Sequence, residues 1–175
     1  MRWKELGAFP LDKKQTQHYS CVMIPELIDV NGPWKVLPPG IHTANLAEIK
    51  QRFATSEKRK QLFEGLKRGV MALYEAGCCT IFLDGSFVTE KPDPGDYDAC
   101  WDPVGVDVKK LNPVFLDFTQ KRKRQKEVFL GEYFPSSSKA DQKHIFLNFF
   151  QQDKLSGGTK GILRINYPEN GGQSL

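Results

Sequence analysis

The segment from Cys79 to Asp98 constrains this chain more than any other. Cys79-Thr80-Ile81-Phe82-Leu83 is a β-branched and apolar run, the composition of a buried strand, and it stops abruptly at Gly85-Ser86. After the nine residues Phe87 to Gly95 the chain resumes with Asp96-Tyr97-Asp98. Strand side chains alternate faces with a rise of about 3.3 Å per residue, so on a strand Asp96 and Asp98 point the same way, their stems roughly 7 Å apart. Two carboxylates so placed can share one or two cations. Mg²⁺ prefers a few carboxylates plus water and phosphate oxygens, and two such ions about 3.5–4 Å apart clamp the attacking and leaving oxygens of a displacement. The small-residue turn adds backbone N–H groups that favour an anion. Together they predict metal-assisted nucleotide chemistry. The plain alternative is that Pro92, Asp93, Pro94 and Gly95 lead into turn and strand-edge chemistry only, since these residue types populate turns for local reasons. The anion-favouring Gly-Ser turn just upstream weighs against it.

Leu83-Asp84-Gly85-Ser86-Phe87 with Asp96-Tyr97-Asp98 resembles the signature of the DNA polymerase β-like nucleotidyltransferase superfamily: a hydrophobic residue, Gly, Ser or Gly, a spacer, then Asp-x-Asp. Asp84 stands between Leu83 and Gly85, a departure from the plainest form. Leu37-Pro38-Pro39-Gly40-Ile41-His42, then Leu83 to Thr89, then Asp93 to Trp101, is also similar to a family of small uncharacterised bacterial proteins assigned to this fold. The likeness covers about residues 23 to 167. It implies an α/β (α+β) domain with a mixed sheet and helices mainly on one face. The implied activity is a Mg²⁺-dependent (or Mn²⁺-dependent) transfer of a nucleoside monophosphate from a nucleoside triphosphate (NTP) to an acceptor hydroxyl, with release of pyrophosphate. Asp96 and Asp98 would hold the metal, and Gly85 and Ser86 would position the triphosphate. Small members of the superfamily modify proteins, RNA or small molecules, and some act as antitoxins toward a partner. A second expectation is therefore a catalytically inactive binding module of the same fold.

The family pattern asks for a third carboxylate, flanked by apolar residues on a strand. The downstream acids include Asp102, Asp107, Asp117, Glu132, Asp141 and Asp153. Asp117 fits best, in Val114-Phe115-Leu116-Asp117-Phe118, where Leu116 and Phe118 would face the core. Asp117 is thus the expected third metal ligand and an aid in deprotonating the acceptor. A rival strand, Ile145-Phe146-Leu147-Asn148-Phe149-Phe150, carries Asn148 at the equivalent place and would leave the cage short of an acid. The run Lys121-Arg122-Lys123-Arg124-Gln125-Lys126 follows Asp117. Arg122 and Lys126 are its candidate triphosphate contacts, because guanidinium can hold phosphate oxygens bidentately. A solvated face is the bland reading of the same run, and an RNA-binding patch lacks the interleaved aromatics it would need.

The rest of the chain sets bounds. Its 175 residues can bury one substantial core. A net charge of +4 favours phosphates without diagnosing nucleic-acid binding. Cys21, Cys78, Cys79 and Cys100 form no Cys-x-x-Cys pair, so zinc is not indicated and free thiols are expected. No apolar run approaches the roughly 20 residues that span a bilayer, and no signal peptide is evident, so a cytoplasmic protein without membrane contact is expected.

Residues 1–22 are poorly patterned and read as an extension, 23–168 as the domain, and 169–175 as a frayed tail. Asn31-Gly32-Pro33 and Pro38-Pro39-Gly40 punctuate a loop. Asn45 with Glu48 caps a helix carrying Leu46, Ile49 and Phe53. A second helix is predicted from about Ser56 to Ala76, with Leu62, Leu66, Val70 and Leu73 inward and Gly77 as its stop. Lys58, Arg59, Lys60, Lys67 and Arg68 read as its solvated face. Ile145 to Gln151 and Lys160 to Tyr167 read as a C-terminal β-hairpin about the glycines of its loop. Asp84, His42 and His144 read as hydrogen-bonding structural residues, and Trp101 as core.

Overall fold

The computed structural model describes residues 24–166. The expectations for residues 1–22, for Cys21 and for the tail lie outside them. Asn45 opens the first helix, α1 (Leu46–Phe53), with a reciprocal capping box: its side chain accepts from the Glu48 N–H, and the Glu48 carboxylate accepts from the Asn45 N–H. At α2 (Glu57–Glu75) the Ser56 hydroxyl accepts from the Arg59 N–H, and Gly77, at φ 91°, turns the chain out at the other end. Leu62, Leu66, Val70 and Leu73 are all buried, as their helical spacing predicts.

The domain is α+β, with a five-stranded mixed sheet and four helices among the described residues. The strands are β1 (Gly40–Ala44), β2 (Ile81–Asp84), β3 (Asp98–Trp101), β4 (Glu132–Pro135) and β5 (Gly161–Ile165). Their order is β1-β5-β2-β3-β4, with β1 parallel to β5, β5 antiparallel to β2, β2 antiparallel to β3, and β3 parallel to β4. Strand alternation then sorts the side chains into two layers. Ile81, Leu83, Ala99, Trp101, Tyr133, Leu163 and Ile165 join the main core under α1, α2 and Phe129 of α3 (Lys123–Phe129). Phe82, Cys100, Phe134 and Ile162 look to the other face, where one turn of helix, α4 (Phe146–Phe149), covers them with Phe146, Phe149 and Phe150. Fully burying a Leu or Phe stabilises the fold by about 1.5–3 kcal/mol, so the α2 layer carries most of the cohesion and the α4 layer is thin.

Several sequence expectations are corrected. The C-terminal hairpin is absent: Ile145–Gln151 holds α4 instead of a strand, and β5 inserts between β1 and β2. Phe146, Phe149 and Phe150 fall at helical spacing, which puts all three rings on or beside Phe134. The segments on either side of the glycine loop meet only in the short bridge Gln152–Thr159. Val114–Phe118 is not a strand either. Asn112 accepts from the Val114 N–H and Pro113 presets the first φ of a 3-10 turn, Pro113–Leu116, so Val114 and Phe115 are buried while Leu116 and Phe118 are exposed. Gly40, read as part of a loop, opens β1, whose residues 41–44 were given no element from sequence. Arg59, expected on a solvated face, is buried.

Candidate functional site

Register brings the site together. Asp84 at the end of β2 pairs across the sheet with Asp98 at the start of β3, and Asp98 pairs with Glu132 at the start of β4. By alternation all three carboxylates lie on the face that α4 covers, the face of Phe82, Cys100 and Phe134. Asp96 lies two residues before β3 and lines the same cleft, a cavity of about 580 Å³. Tyr97 between the two acids points the other way. It is fully buried, its hydroxyl donates to the Phe129 carbonyl (2.7 Å) and meets the Tyr133 hydroxyl (3.1 Å), and it anchors the acid-bearing segment to the core.

The Gly85-Ser86 turn closes against this row. Gly85 sits at φ 85°, and a Cβ there would lie 2.8 Å from Asp98 Oδ2 and 2.9 Å from the Asp98 nitrogen. Only glycine allows that approach and that backbone angle. A short 3-10 turn, Ser86–Val88, follows; its internal bonds use the N–H groups of Val88 and Thr89, so those of Ser86 and Phe87 have no acceptor within the turn.

Cations balance the acids. Lys126 Nζ lies 2.6 Å from Glu132 and 3.1 Å from Asp96, so one ammonium bridges two carboxylates, and its pKa is raised chiefly by the bond to Glu132. Arg122 Nε donates to Glu132 (2.7 Å), with its guanidinium 4.9 Å from the centre of the Phe134 ring. Lys160 donates to the buried Asp84. Asp98 takes no hydrogen bond or ion pair from the described side chains. Burial, then the neighbouring charges of Asp84, Asp96 and Glu132, push its carboxyl up to about 7.

Gly85, Ser86, Asp96, Asp98 and Arg122 therefore line one cleft, and Lys126 reaches it through Asp96 and Glu132. Asp117 does not join them. Its exposed carboxylate accepts from the Thr119 N–H (3.0 Å) and hydroxyl (2.6 Å), bonds that hold its pKa below the usual range, and it does not line the cleft. Asn148 lies on α4, not on the rival strand. In this arrangement no three acidic, Cys or His side chains among the described residues draw together closely enough to hold a metal ion.

Of the other cleft residues, sequence had Glu132 only as one of several downstream acids and Asp84 only as a hydrogen-bonding residue, and it missed Lys160. Glu132 carried a usable signal, an acid leading an aromatic pair, Tyr133-Phe134, beyond Gly131. Lys160 had none, because its approach to Asp84 depends on β5 pairing with β2. Cys78, Cys79 and Cys100 are free thiols, and His42 bonds the Pro38 carbonyl as a structural residue.

Residues 29–166 match the model of a family of unknown function, DUF6932. No curated protein and no solved structure matches the chain. The matched stretch contains every strand of the sheet and every residue of the cleft named above, and the chain belongs to the DUF6932 family.

Proposed function

We propose that this protein is a Mg²⁺- or Mn²⁺-dependent nucleotidyltransferase that moves a nucleoside monophosphate from an NTP to an acceptor hydroxyl and releases pyrophosphate. One observation carries the reading: Asp84, Asp98 and Glu132 stand side by side on three hydrogen-bonded strands, with Asp96 beside them and the Gly85-Ser86 turn pressed against Asp98. Glu132 takes the part of third carboxylate that sequence alone gave to Asp117. A mixed sheet with the Gly-Ser turn facing the acidic strand, as the resemblance to the DNA polymerase β-like superfamily implies, supports the reading.

The donor chemistry suits a hard divalent cation, since every candidate ligand is a carboxylate oxygen, but with Lys126 between Asp96 and Glu132 the acids would have to draw closer to hold one. Asp96 and Glu132 already share one cation, the Lys126 ammonium, and Asp98 has lone pairs that no described side chain occupies. A bound divalent ion would supply charge neutralisation for the triphosphate and polarise the attacking oxygen. The chain's own residues do the placing. Backbone N–H groups at Ser86 and Phe87 receive phosphate oxygens, and Arg122, fixed by Glu132 and Phe134, brings a guanidinium to the cleft wall. Lys126 holds Asp96 and Glu132 and would be free to meet phosphate were a divalent ion bound between them. Phosphoryl chemistry asks little covalent work of a protein, so placement and charge are the catalysis. The acceptor is a hydroxyl of a protein, an RNA or a small molecule.

A second reading is a binding module of the same fold without turnover, antitoxin-like in role. It is favoured by the way Lys126 and Lys160 already neutralise Asp96, Glu132 and Asp84. Incubation of the purified protein with each α-phosphate-labelled NTP, Mg²⁺ or Mn²⁺ and a lysate of its source cells separates the two. The first reading predicts label on an acceptor, lost in the Asp96→Ala, Asp98→Ala double variant; transfer that survives that variant would sink it. Nucleotide binding without transfer selects the module.

A further inference from the structure

Arg59 is the third residue of α2, in a run of charged residues whose neighbours Lys58 and Lys60 are exposed. It is only 5% exposed. No carboxylate among the described residues pairs with it. Nη1 donates to the carbonyls of Phe53 (3.2 Å) and Phe87 (2.7 Å), and Nη2 to those of Thr89 (2.9 Å) and Lys91, with the guanidinium 5.7 Å from the centre of the Phe87 ring. Withdrawing a guanidinium from water costs several kcal/mol, and burial lowers its pKa accordingly. An apolar side chain would fill the place at lower cost if packing were the whole requirement.

Three of the four carbonyls belong to the segment that follows Gly85-Ser86, and two of those three are on Thr89 and Lys91, residues that line the cleft. The same segment carries a second set of bonds: the Thr89 hydroxyl donates to the Ser86 carbonyl (2.8 Å), and the Lys91 N–H donates to that hydroxyl (3.1 Å). The geometry points to Arg59 as a positioning residue for the phosphate turn: its fork fixes the peptide planes from Phe87 to Lys91 and, through Thr89, the Ser86 carbonyl. The inference rests on the nucleotide-site reading above. Lysine cannot substitute, because one ammonium has neither the reach nor the planar fork to hold four carbonyls drawn from two segments.

The test compares the full chain with Arg59→Lys at a temperature where circular dichroism shows both fully folded. Two probes are titrated: Mn²⁺ alone, followed by paramagnetic resonance, and inorganic tripolyphosphate with Mg²⁺, followed by calorimetry. The variant should bind tripolyphosphate about tenfold more weakly or worse, through lost preorganisation, and Mn²⁺ within about twofold of the parent. A residue that served stability alone would move neither affinity. Equal tripolyphosphate affinity in the two proteins overturns the role of Arg59 and leaves the nucleotide-site reading standing. A parent that does not bind tripolyphosphate removes that reading, and this inference with it. Should Arg59→Lys fail to fold, hydrogen exchange on the parent decides. Amides from Val88 to Lys91 that exchange as slowly as those on the buried side of α2 support the clamp, and exchange at the rate of unprotected amides overturns it.

Discussion

Asp98 is partly buried beside three other acids with no cation bonded to it among the described side chains. Its carboxyl titrates near 7 because burial and three neighbouring acids disfavour the charge. In the unfolded chain it would titrate near 3.9. The native state therefore holds a proton that the unfolded state has lost, and stability falls as pH rises from about 4 to about 7. In metal-free protein, Asp98→Asn should melt higher than the parent above pH 7, by an amount worth a few kcal/mol. The gain should vanish as pH falls to about 4, where the parent carboxyl is already neutral; a gain independent of pH would show that it does not come from the buried charge. Lys126 makes the complementary case. Its ammonium competes with any divalent ion for Asp96 and Glu132. Lys126→Met should tighten Mn²⁺ binding by about tenfold, the order expected when a charge-assisted contact no longer has to be broken, while weakening nucleotide binding. Looser Mn²⁺ binding in a folded variant would show that Lys126 supports the metal site rather than guarding it.

At the scale of elements, α2 carries two glycines at a spacing that no propensity argument favours. A Cβ on Gly65 would lie 2.0 Å from the Phe129 carbonyl oxygen, and one on Gly69 would lie 2.1 Å from the Tyr133 hydroxyl. They let α2 lie directly on the end of α3 and on β4, the strand that carries Glu132. Alanine improves helix propensity by about 1 kcal/mol, yet overpacking costs about 1–3 kcal/mol and here meets backbone or a hydrogen-bonded tyrosine. Gly69→Ala should lower the unfolding midpoint, which a urea titration would reveal; an unchanged or higher midpoint would mean that the helix shifts freely. Both long helices were legible from sequence because their signals are local: Asn45 with Glu48, Ser56, the apolar stripe and Gly77. The short elements were not. Ile145–Phe150 satisfies strand composition and helical spacing at once, and packing of its rings around Phe134 decided for the helix. Asn112-Pro113 outweighed the apolar alternation of 114–118 and turned Asp117 out to Thr119.

Across the whole molecule, the site is a product of strand order. Asp96, Asp98, Gly85 and Ser86 were readable because they fall within one stretch of chain. Glu132 and Lys160 reach them only through β4 lying parallel to β3 and β5 lying against β2, pairings that join distant parts of the sequence. Arg59 was misread for the same reason, since three of the carbonyls it serves lie 28 to 32 residues further along. No helix among the described residues is long and apolar enough to cross a membrane. The thin layer over the acidic face brings Phe146, Phe149 and Phe150 to the wall of the cleft.

The central claim is that the acids joined by the sheet, and not Asp117, form the cation site. Mn²⁺ affinity measured by paramagnetic resonance on the parent, Glu132→Gln and Asp117→Asn tests it most directly. Glu132→Gln should lose about tenfold or more, as expected when one of a few carboxylate ligands is neutralised, and Asp117→Asn should not change. Loss in Asp117→Asn with Glu132→Gln unaffected would contradict the claim.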